Sequence, residues 1–228
     1  MRKFIRILGI FLILTSLSMF GYIYFRDDKI ASDIERGKHT ELVNVKDHLT
    51  DDELKNKETE GNEPIKTIID NDTRGLVIGK ISIPSVGIDL PIYKGEFSEL
   101  GDNMLFGAVT NKQNQEMGKR NYVLSSHIVN NPEYLFTSLS KVSVGDYVYL
   151  ADTEYLYTYQ ITDGKVVKPS EVWILDDIPN KSTITLYTCK YINEYENGVQ
   201  KTDRTVRFGD FISKEKLTKD LENKYFGF

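Results

Sequence analysis

From Gly75 onward the sequence is divided into short runs rich in β-branched and aromatic residues, with Gly, Pro, Asn or Asp between them. Runs of this length and composition predict β-strands separated by turns. Many short strands at such a spacing are typical of an all-β barrel or sandwich. We predict strands over residues 76–83, 88–93, 121–126, 147–151, 155–163, 183–188 and 204–211.

Turn and helix signals complete the pattern between these strands. The Gly-Asp pair at 145–146 and the Asp-Gly pair at 163–164 predict turns. A helical turn is predicted over residues 132–139, where a Pro is followed by apolar residues. Apolar residues recurring at every fourth position near the end of the chain predict an amphipathic helix that starts at Ser213.

The N-terminal region has a different character. Residues 7–25 are apolar and almost uncharged, over a length close to the ~20 residues of a bilayer-spanning helix. Three basic residues precede the stretch and no Ala-x-Ala-like cleavage site follows it, so we predict an uncleaved transmembrane signal anchor with residues 1–6 in the cytoplasm. Residues 26–74 are polar and charged, which predicts an extracytoplasmic linker, helical in part. The folded domain is predicted over residues 75–228.

Length and charge limit the kinds of partner. The 228 residues are enough for one sizeable core plus targeting and linking segments. The net charge is −5 and no dense stripe of Lys and Arg is present, whereas nucleic-acid-binding domains usually carry a basic face. The composition therefore favours peptide or cell-envelope partners over nucleic acid.

Cys189 is the single cysteine of the chain and follows the predicted strand at 183–188. An unpaired thiol in an exported chain is either a small apolar filler or a reactive group. A reactive thiolate needs a nearby imidazole, guanidinium or helix N-terminus. His39 and His48 fall in the predicted linker, which leaves His127, at the end of another predicted strand, as the imidazole available to Cys189. One Cys and one His are too few for a zinc site, so no metal site is predicted.

Two arginines on the predicted strand at 204–211 are candidates for a third group. A fixed guanidinium can stabilise the negative oxygen that develops in acyl transfer. Arg204 and Arg207 are three residues apart, so on a strand they point to opposite faces. Their spacing leaves open which of them shares a face with Cys189.

Together these residues resemble a sortase. The segment Thr-Leu-Tyr-Thr-Cys at 185–189, His127 at a strand end and an Arg-x-x-x-x-Gly pattern beginning at Arg204 are most similar to the class A, or housekeeping, type. The resemblance covers roughly residues 75–212 and implies a closed eight-stranded β-barrel. It also assigns the third role to Arg204, which would make Arg207 a surface residue.

The resemblance implies a cysteine transpeptidase that needs no cofactor. Cys189 would attack the Thr carbonyl of a Leu-Pro-x-Thr-Gly sorting signal, His127 would protonate the departing Gly amine, and Arg204 would stabilise the oxyanion. The implied partners are surface proteins with a C-terminal sorting signal and the amine of a lipid II type peptidoglycan precursor. The implied location is the cell membrane of a Gram-positive cell, with a single span and the catalytic domain outside.

The resemblance also implies a peptide-binding region around residues 165–181, which correspond to the family's long loop between its sixth and seventh strands. The residues expected to contact the peptide are Ser125, Thr188, Val172, Trp173 and Ile174. Residues 111–120 correspond to a loop that binds calcium in some members, but here the loop carries lysines and too few carboxylates. We therefore expect activity that does not depend on calcium.

Three alternatives remain open. A pilin-polymerising sortase would use a lysine of another pilin as the acceptor, although its usual flap and second membrane span are not evident in the sequence. A Cys/His peptide hydrolase would pass the same acyl group to water, so only product analysis with an added amine separates it from a transpeptidase. A non-enzymatic β-barrel binding module with an inert thiol would keep its function in Cys189→Ala.

Overall fold

Eight strands close into a barrel in the computed structural model, which describes residues 2–43, 75–95, 97–98, 101–112, 115–196 and 199–227. Two further short strands, β3 and β4, form a separate hairpin. The strands are β1 (Val77–Ile83), β2 (Ile88–Tyr93), β3 (Phe97–Ser98), β4 (Gly101–Asp102), β5 (Ala108–Thr110), β6 (Asn121–Ser125), β7 (Tyr147–Ala151), β8 (Tyr155–Val167), β9 (Thr183–Glu196) and β10 (Val199–Lys216). The barrel order is β1-β2-β5-β6-β9-β10-β8-β7, and β7 pairs with β1 to close it.

All seven predicted strands are present, which confirms the all-β prediction, and the eight-stranded closed barrel matches the fold that the resemblance implied. The barrel strand that the sequence did not reveal is β5. Its three residues are too few to show an alternating pattern. The strands β8, β9 and β10 are longer than predicted because β10 pairs along most of its length with β8 on one side and β9 on the other.

Two local predictions are wrong. Residues 163–164 do not form a turn but continue β8, where Gly164 pairs with Arg207 of β10. The C-terminal helix does not start at Ser213, because that residue is still paired within β10. The helix α2 is Lys219–Tyr225, and the Thr218 hydroxyl caps it by accepting a bond from the N–H of Leu221. The helical turn predicted over 132–139 is a 3₁₀ helix shifted to Thr137–Lys141.

The barrel interior is filled by apolar side chains from alternate positions of the strands. Burying a large apolar side chain contributes roughly 1.5–3 kcal/mol, so this interior is the main source of stability. The most deeply buried members include Ile81, Ile83, Ile92, Leu124, Val148, Leu150, Tyr159, Ile184 and Leu186, each essentially inaccessible to solvent.

The N-terminal helix α1 (Arg2–His39) contains the predicted anchor and continues into the predicted linker. Its C-terminal end packs on β2, where Lys38 Nζ lies 2.9 Å from the buried carboxylate of Asp89 and Ile34 enters the core. His39 is exposed, and its Nε2 lies 3.0 Å from Glu35 Oε1 one helical turn earlier. His48 lies outside the described residues.

The helical part of the prediction for residues 7–25 holds, since α1 covers them. Within the described ranges, however, no helix is both long and apolar enough to cross a membrane. The transmembrane span predicted for residues 7–25 is therefore not supported.

Arg207 is not a free surface residue. Its Nε donates to the carbonyl of Val142 at 2.7 Å and its Nη2 donates to the carbonyl of Ser140 at 2.6 Å. The guanidinium also lies over Gly164, where a Cβ atom would come within 2.9 Å of it. Burial lowers the pKa of Arg207. The side chain thus ties β10 to the 3₁₀ helix and explains why glycine occurs at position 164.

We expect Arg207→Ala to lower the free energy of unfolding by about 1–3 kcal/mol, because two carbonyl acceptors lose a charged donor. Chemical denaturation measures this difference. Lys216→Ala, which removes an exposed cation at the end of β10, serves as the control and should stay within about 0.5 kcal/mol of the wild type. Equal effects of the two substitutions would contradict the role given to Arg207.

Candidate active site

The parallel pairing of β6 with β9 brings His127 next to Cys189. Ser125 on β6 lies opposite Tyr187 on β9. His127 and Cys189 each follow this pair by two residues, so both lie just beyond the carboxyl end of β6 at one edge of the barrel. Cys189 is a free thiol and is half-buried.

Arg204 reaches the same place from the other side of β9. It is the direct antiparallel partner of Cys189 in the β9–β10 ladder. Directly paired residues have side chains on the same face, with Cβ atoms about 4.5–5.5 Å apart. Its Nη1 donates to the Thr202 hydroxyl at 3.1 Å and to the Asp203 carbonyl at 3.2 Å, which orients the guanidinium. The register thus selects Arg204 over Arg207 as the arginine beside the thiol.

A cavity of about 320 Å³ joins the three side chains. Its walls come from β9, β10 and the segment after β8, which contains the 3₁₀ helix Val172–Leu175. No group of three or more His, Cys, Asp or Glu side chains in the described ranges is placed to hold a metal ion. The lining residues are Met104, His127, Lys168, Pro169, Glu171, Val172, Ile174, Leu175, Tyr187, Thr188, Cys189 and Arg204.

Three of the five predicted peptide contacts line this cavity, namely Thr188, Val172 and Ile174. Ser125 does not, because it is fully buried with its hydroxyl 3.9 Å from the Met104 sulfur. Trp173 is not among the lining residues either; it is exposed and stacks on Phe208, with the ring centroids 5.8 Å apart. Sequence position alone could not separate the predicted contacts that line the cavity from those that do not, since the side chains of adjacent residues point in different directions.

Buried hydroxyl groups fix the backbone before His127. The Thr188 hydroxyl donates to the Ser126 carbonyl at 2.6 Å and so joins β9 to the end of β6. The Ser126 hydroxyl donates to the Gly107 carbonyl at 2.8 Å. The N–H of Phe136 donates to the His127 carbonyl at 3.1 Å. These bonds fix the backbone that carries the imidazole relative to the strand that carries the thiol.

Asp102 is a site residue that the sequence reasoning missed. Its Oδ2 lies 2.5 Å from His127 Nε2, although 25 residues separate the two in the chain. In the sequence, an Asp at this position indicates at most a cap for a following turn. The contact depends on how the β3–β4 hairpin folds against the barrel, which no local pattern specifies.

Asn121 anchors the loop that forms one wall of the cavity. Its buried amide donates to the carbonyl of Ile174 at 3.1 Å and to that of Asp176 at 3.0 Å. Its Oδ1 accepts a bond of 2.8 Å from the Thr185 hydroxyl on β9. One side chain at the start of β6 therefore holds both the loop and the cysteine strand.

We expect Asn121→Ala to lower the free energy of unfolding by about 1–3 kcal/mol and to release the loop, because buried carbonyls lose their donor. Hydrogen exchange should show faster exchange of the backbone amides at residues 172–178. Gln160→Ala, which removes a single amide bond to the Gly145 carbonyl, is the control. Unchanged exchange in the loop would argue against this anchor.

A second anchor of the same loop is ionic. The Asp177 carboxylate accepts a hydrogen bond from Lys112 Nζ, and it also accepts one from the N–H of Asn121 at 3.1 Å. The bond from Lys112 is the main reason that the pKa of Asp177 lies below its ordinary value of 3.8. The stabilisation is therefore complete above about pH 3.8 and is lost as the pH falls below that value.

Asp177→Asn should consequently lower the melting temperature more at pH 6 than at pH 3, since the wild-type carboxylate becomes protonated as the pH falls. Thermal unfolding at the two pH values measures the difference. Asp176→Asn alters an adjacent exposed carboxylate and should show no such pH dependence. An equal loss in Asp177→Asn at both pH values would show that the charge does not matter.

The chain is similar to proteins of one known family. The family model described as the sortase domain matches residues 81–210. Sortase A of Listeria monocytogenes is 39% identical over 156 residues, which cover 68% of this chain and 66% of that protein. Sortase A of Bacillus anthracis is 41% identical over 136 residues, which cover 60% of each.

A solved structure supports the same relationship. The crystal structure of sortase A from Listeria monocytogenes matches with a TM-score of 0.58 and 40% identity, covering 66% of this chain and 97% of that one. The chain spans about two thirds or less of the length of the curated relatives named above. Because the family match covers more than half of the chain and includes His127, Cys189 and Arg204, the chain belongs to the sortase family.

Proposed function

We propose that this protein is a class A sortase that joins surface proteins to a peptidoglycan precursor. The observation that carries the proposal is the single cavity that brings together a free thiol, an imidazole and a guanidinium. The curated relatives named sortase A support the choice of class. The substrate is proposed to be a C-terminal Leu-Pro-x-Thr-Gly sorting signal, and the reaction is proposed to take place at the cell surface.

The first half of the proposed reaction is acylation of Cys189. The thiolate attacks the Thr carbonyl carbon of the sorting signal, and a C–S bond forms while a negative charge develops on the oxygen. Arg204 stabilises that oxygen in this proposal, which its direct pairing with Cys189 in the ladder supports. His127 donates a proton to the Gly nitrogen as the C–N bond breaks, so the peptide leaves as a neutral amine.

The second half reverses the direction of proton transfer. An amine of the cell-wall precursor attacks the thioacyl carbon and gives its proton to His127. The C–S bond then breaks, an amide bond forms and the thiolate of Cys189 is regenerated. No oxidant, reductant or cofactor is needed for this balance of atoms and electrons.

Apolar side chains of the cavity provide a surface for the Leu and Pro of the signal. Val172 and Ile174 lie on the 3₁₀ helix that Asn121 anchors, and Ile174 is itself buried. Apolar walls with a few polar groups are characteristic of sites that bind small ligands and peptides. Thr188 contributes by fixing the backbone between His127 and Cys189.

Mass spectrometry of products tests the proposal. The full chain is incubated with a library of Leu-Pro-x-Thr-Gly peptides, with and without triglycine, and we expect cleaved peptide joined to glycine. Cys189→Ala should lose product by at least ~10³-fold, because no other thiol is present. Arg204→Lys should lose about 10²-fold, because a lysine cannot reproduce the fixed guanidinium.

Lys190→Ala provides the matched control, since it removes an exposed side chain next to the nucleophile. Product that contains only free acid in the presence of triglycine would indicate a hydrolase. A joined product that forms only with a lysine side chain as acceptor would indicate a pilin polymerase. Absence of any Cys189-dependent product would refute the proposal.

A further inference from the structure

We propose that Asp102 is a positioning residue that holds the proton of His127 on Nε2, so that Nδ1 is the nitrogen that exchanges protons with the substrate. The inference rests on the proposed function, because it assigns the two nitrogens of the imidazole their parts in that reaction. It concerns a carboxylate outside the cysteine, histidine and arginine set.

The contact has the geometry of a charge-assisted hydrogen bond. Asp102 Oδ2 and His127 Nε2 are 2.5 Å apart, which is shorter than the roughly 2.7–2.9 Å usual for a charge-assisted N–H···O bond. The His127 side chain is 33% exposed and the Asp102 side chain is 28% exposed. Both groups are therefore partly shielded from water, which strengthens the bond relative to a surface ion pair.

Asp102 is itself held in place. Its Oδ1 accepts a bond of 2.9 Å from the N–H of Met104 and caps the 3₁₀ helix Asn103–Leu105. The carbonyl of Met104 lies 3.3 Å from the hydroxyl of Ser126, the residue before His127, as the longer arm of a bifurcated bond whose shorter arm goes to the Gly107 carbonyl. One oxygen of the carboxylate fixes its position while the other faces the imidazole.

The acceptor character of a carboxylate determines the tautomer. An ionised carboxylate has no proton to donate, so a hydrogen bond with Nε2 requires that Nε2 carry the proton. In the neutral ring the lone pair then lies on Nδ1, and Nδ1 becomes the base. When Nδ1 is protonated, Asp102 also offsets the positive charge of the ring.

The carboxylate that lines the cavity has other partners. Glu171 Oε2 accepts from the N–H of Lys168 at 2.7 Å, and Glu171 Oε1 accepts from Trp173 Nε1 at 3.3 Å. Glu171 is thus committed to its own loop. Asp102 is therefore the carboxylate that accepts the hydrogen bond from His127 Nε2.

Asp102→Asn separates this role from a structural one. Asparagine is as good a helix cap as aspartate, and its Oδ1 can keep the bond to the N–H of Met104. Its Nδ2 then faces His127 and can only donate, so Nε2 must accept and the ring proton moves to Nδ1. Asp146→Asn is the matched control, because Asp146 caps a turn by accepting from the N–H of Ser143 away from the cavity.

Nitrogen NMR of the ¹⁵N-histidine-labelled protein reads the tautomer directly, and His127→Ala identifies the signals of this ring. In the neutral ring we expect the proton on Nε2 in the wild type and in Asp146→Asn, but on Nδ1 in Asp102→Asn. A proton that stays on Nε2 in Asp102→Asn would overturn the inference. This readout does not depend on enzymatic activity.

Kinetics with the sorting peptide and triglycine complete the test. We expect Asp102→Asn to lower kcat by roughly 10- to 100-fold with KM within twofold, a smaller loss than the ~10⁴-fold seen for a fully buried triad carboxylate. An active wild type with unchanged kcat in Asp102→Asn would overturn the positioning role while the proposed function stands. A wild type without Cys189-dependent activity would refute the proposed function and the proton-exchange role of Nδ1 with it, whereas the NMR result would still test whether Asp102 holds the proton on Nε2.

Discussion

The parallel pairing of β6 with β9 is the constraint on which the site depends. Its register places Ser125 opposite Tyr187, and every hydrogen bond of that ladder helps to fix His127 beside Cys189 two residues further on. A register shift of one residue would turn the side chains to the opposite face. The buried apolar side chains of both strands prevent such a shift, because it would expose Leu124 and Leu186, which are fully buried in the barrel.

Hydrogen-bonded polar groups then give the stable barrel a cavity of defined shape. Asn121 holds the loop wall, Thr188 holds the backbone before His127, and Asp102 contacts the imidazole. Each makes bonds between segments that are distant in the chain. Such groups add little net stability when paired, but they are costly when unpaired, so they favour one arrangement over its competitors.

The two arginines of β10 show how one strand serves two purposes. Arg204 faces the cavity and pairs with Cys189, whereas Arg207 faces the opposite side and binds the carbonyls of Ser140 and Val142. The alternation of side chains along a strand separates the two roles over only three residues. The structural arginine and the arginine of the cavity do not compete for space, because their guanidinium groups lie on opposite faces of the sheet.

From the residues alone, the all-β class, seven of the eight barrel strands and the family to which Cys189, His127 and Arg204 point could be predicted. Those features depend on local composition, on periodicity and on residues that stand out by their rarity. Only the fold reveals the short strand β5, the continuation of β8 through Gly164 and the contact of Asp102 with His127. It also shows that Ser125 and Trp173 do not line the cavity. These features depend on contacts between segments that are distant in the chain, and a local sequence pattern does not predict the free energy of such contacts.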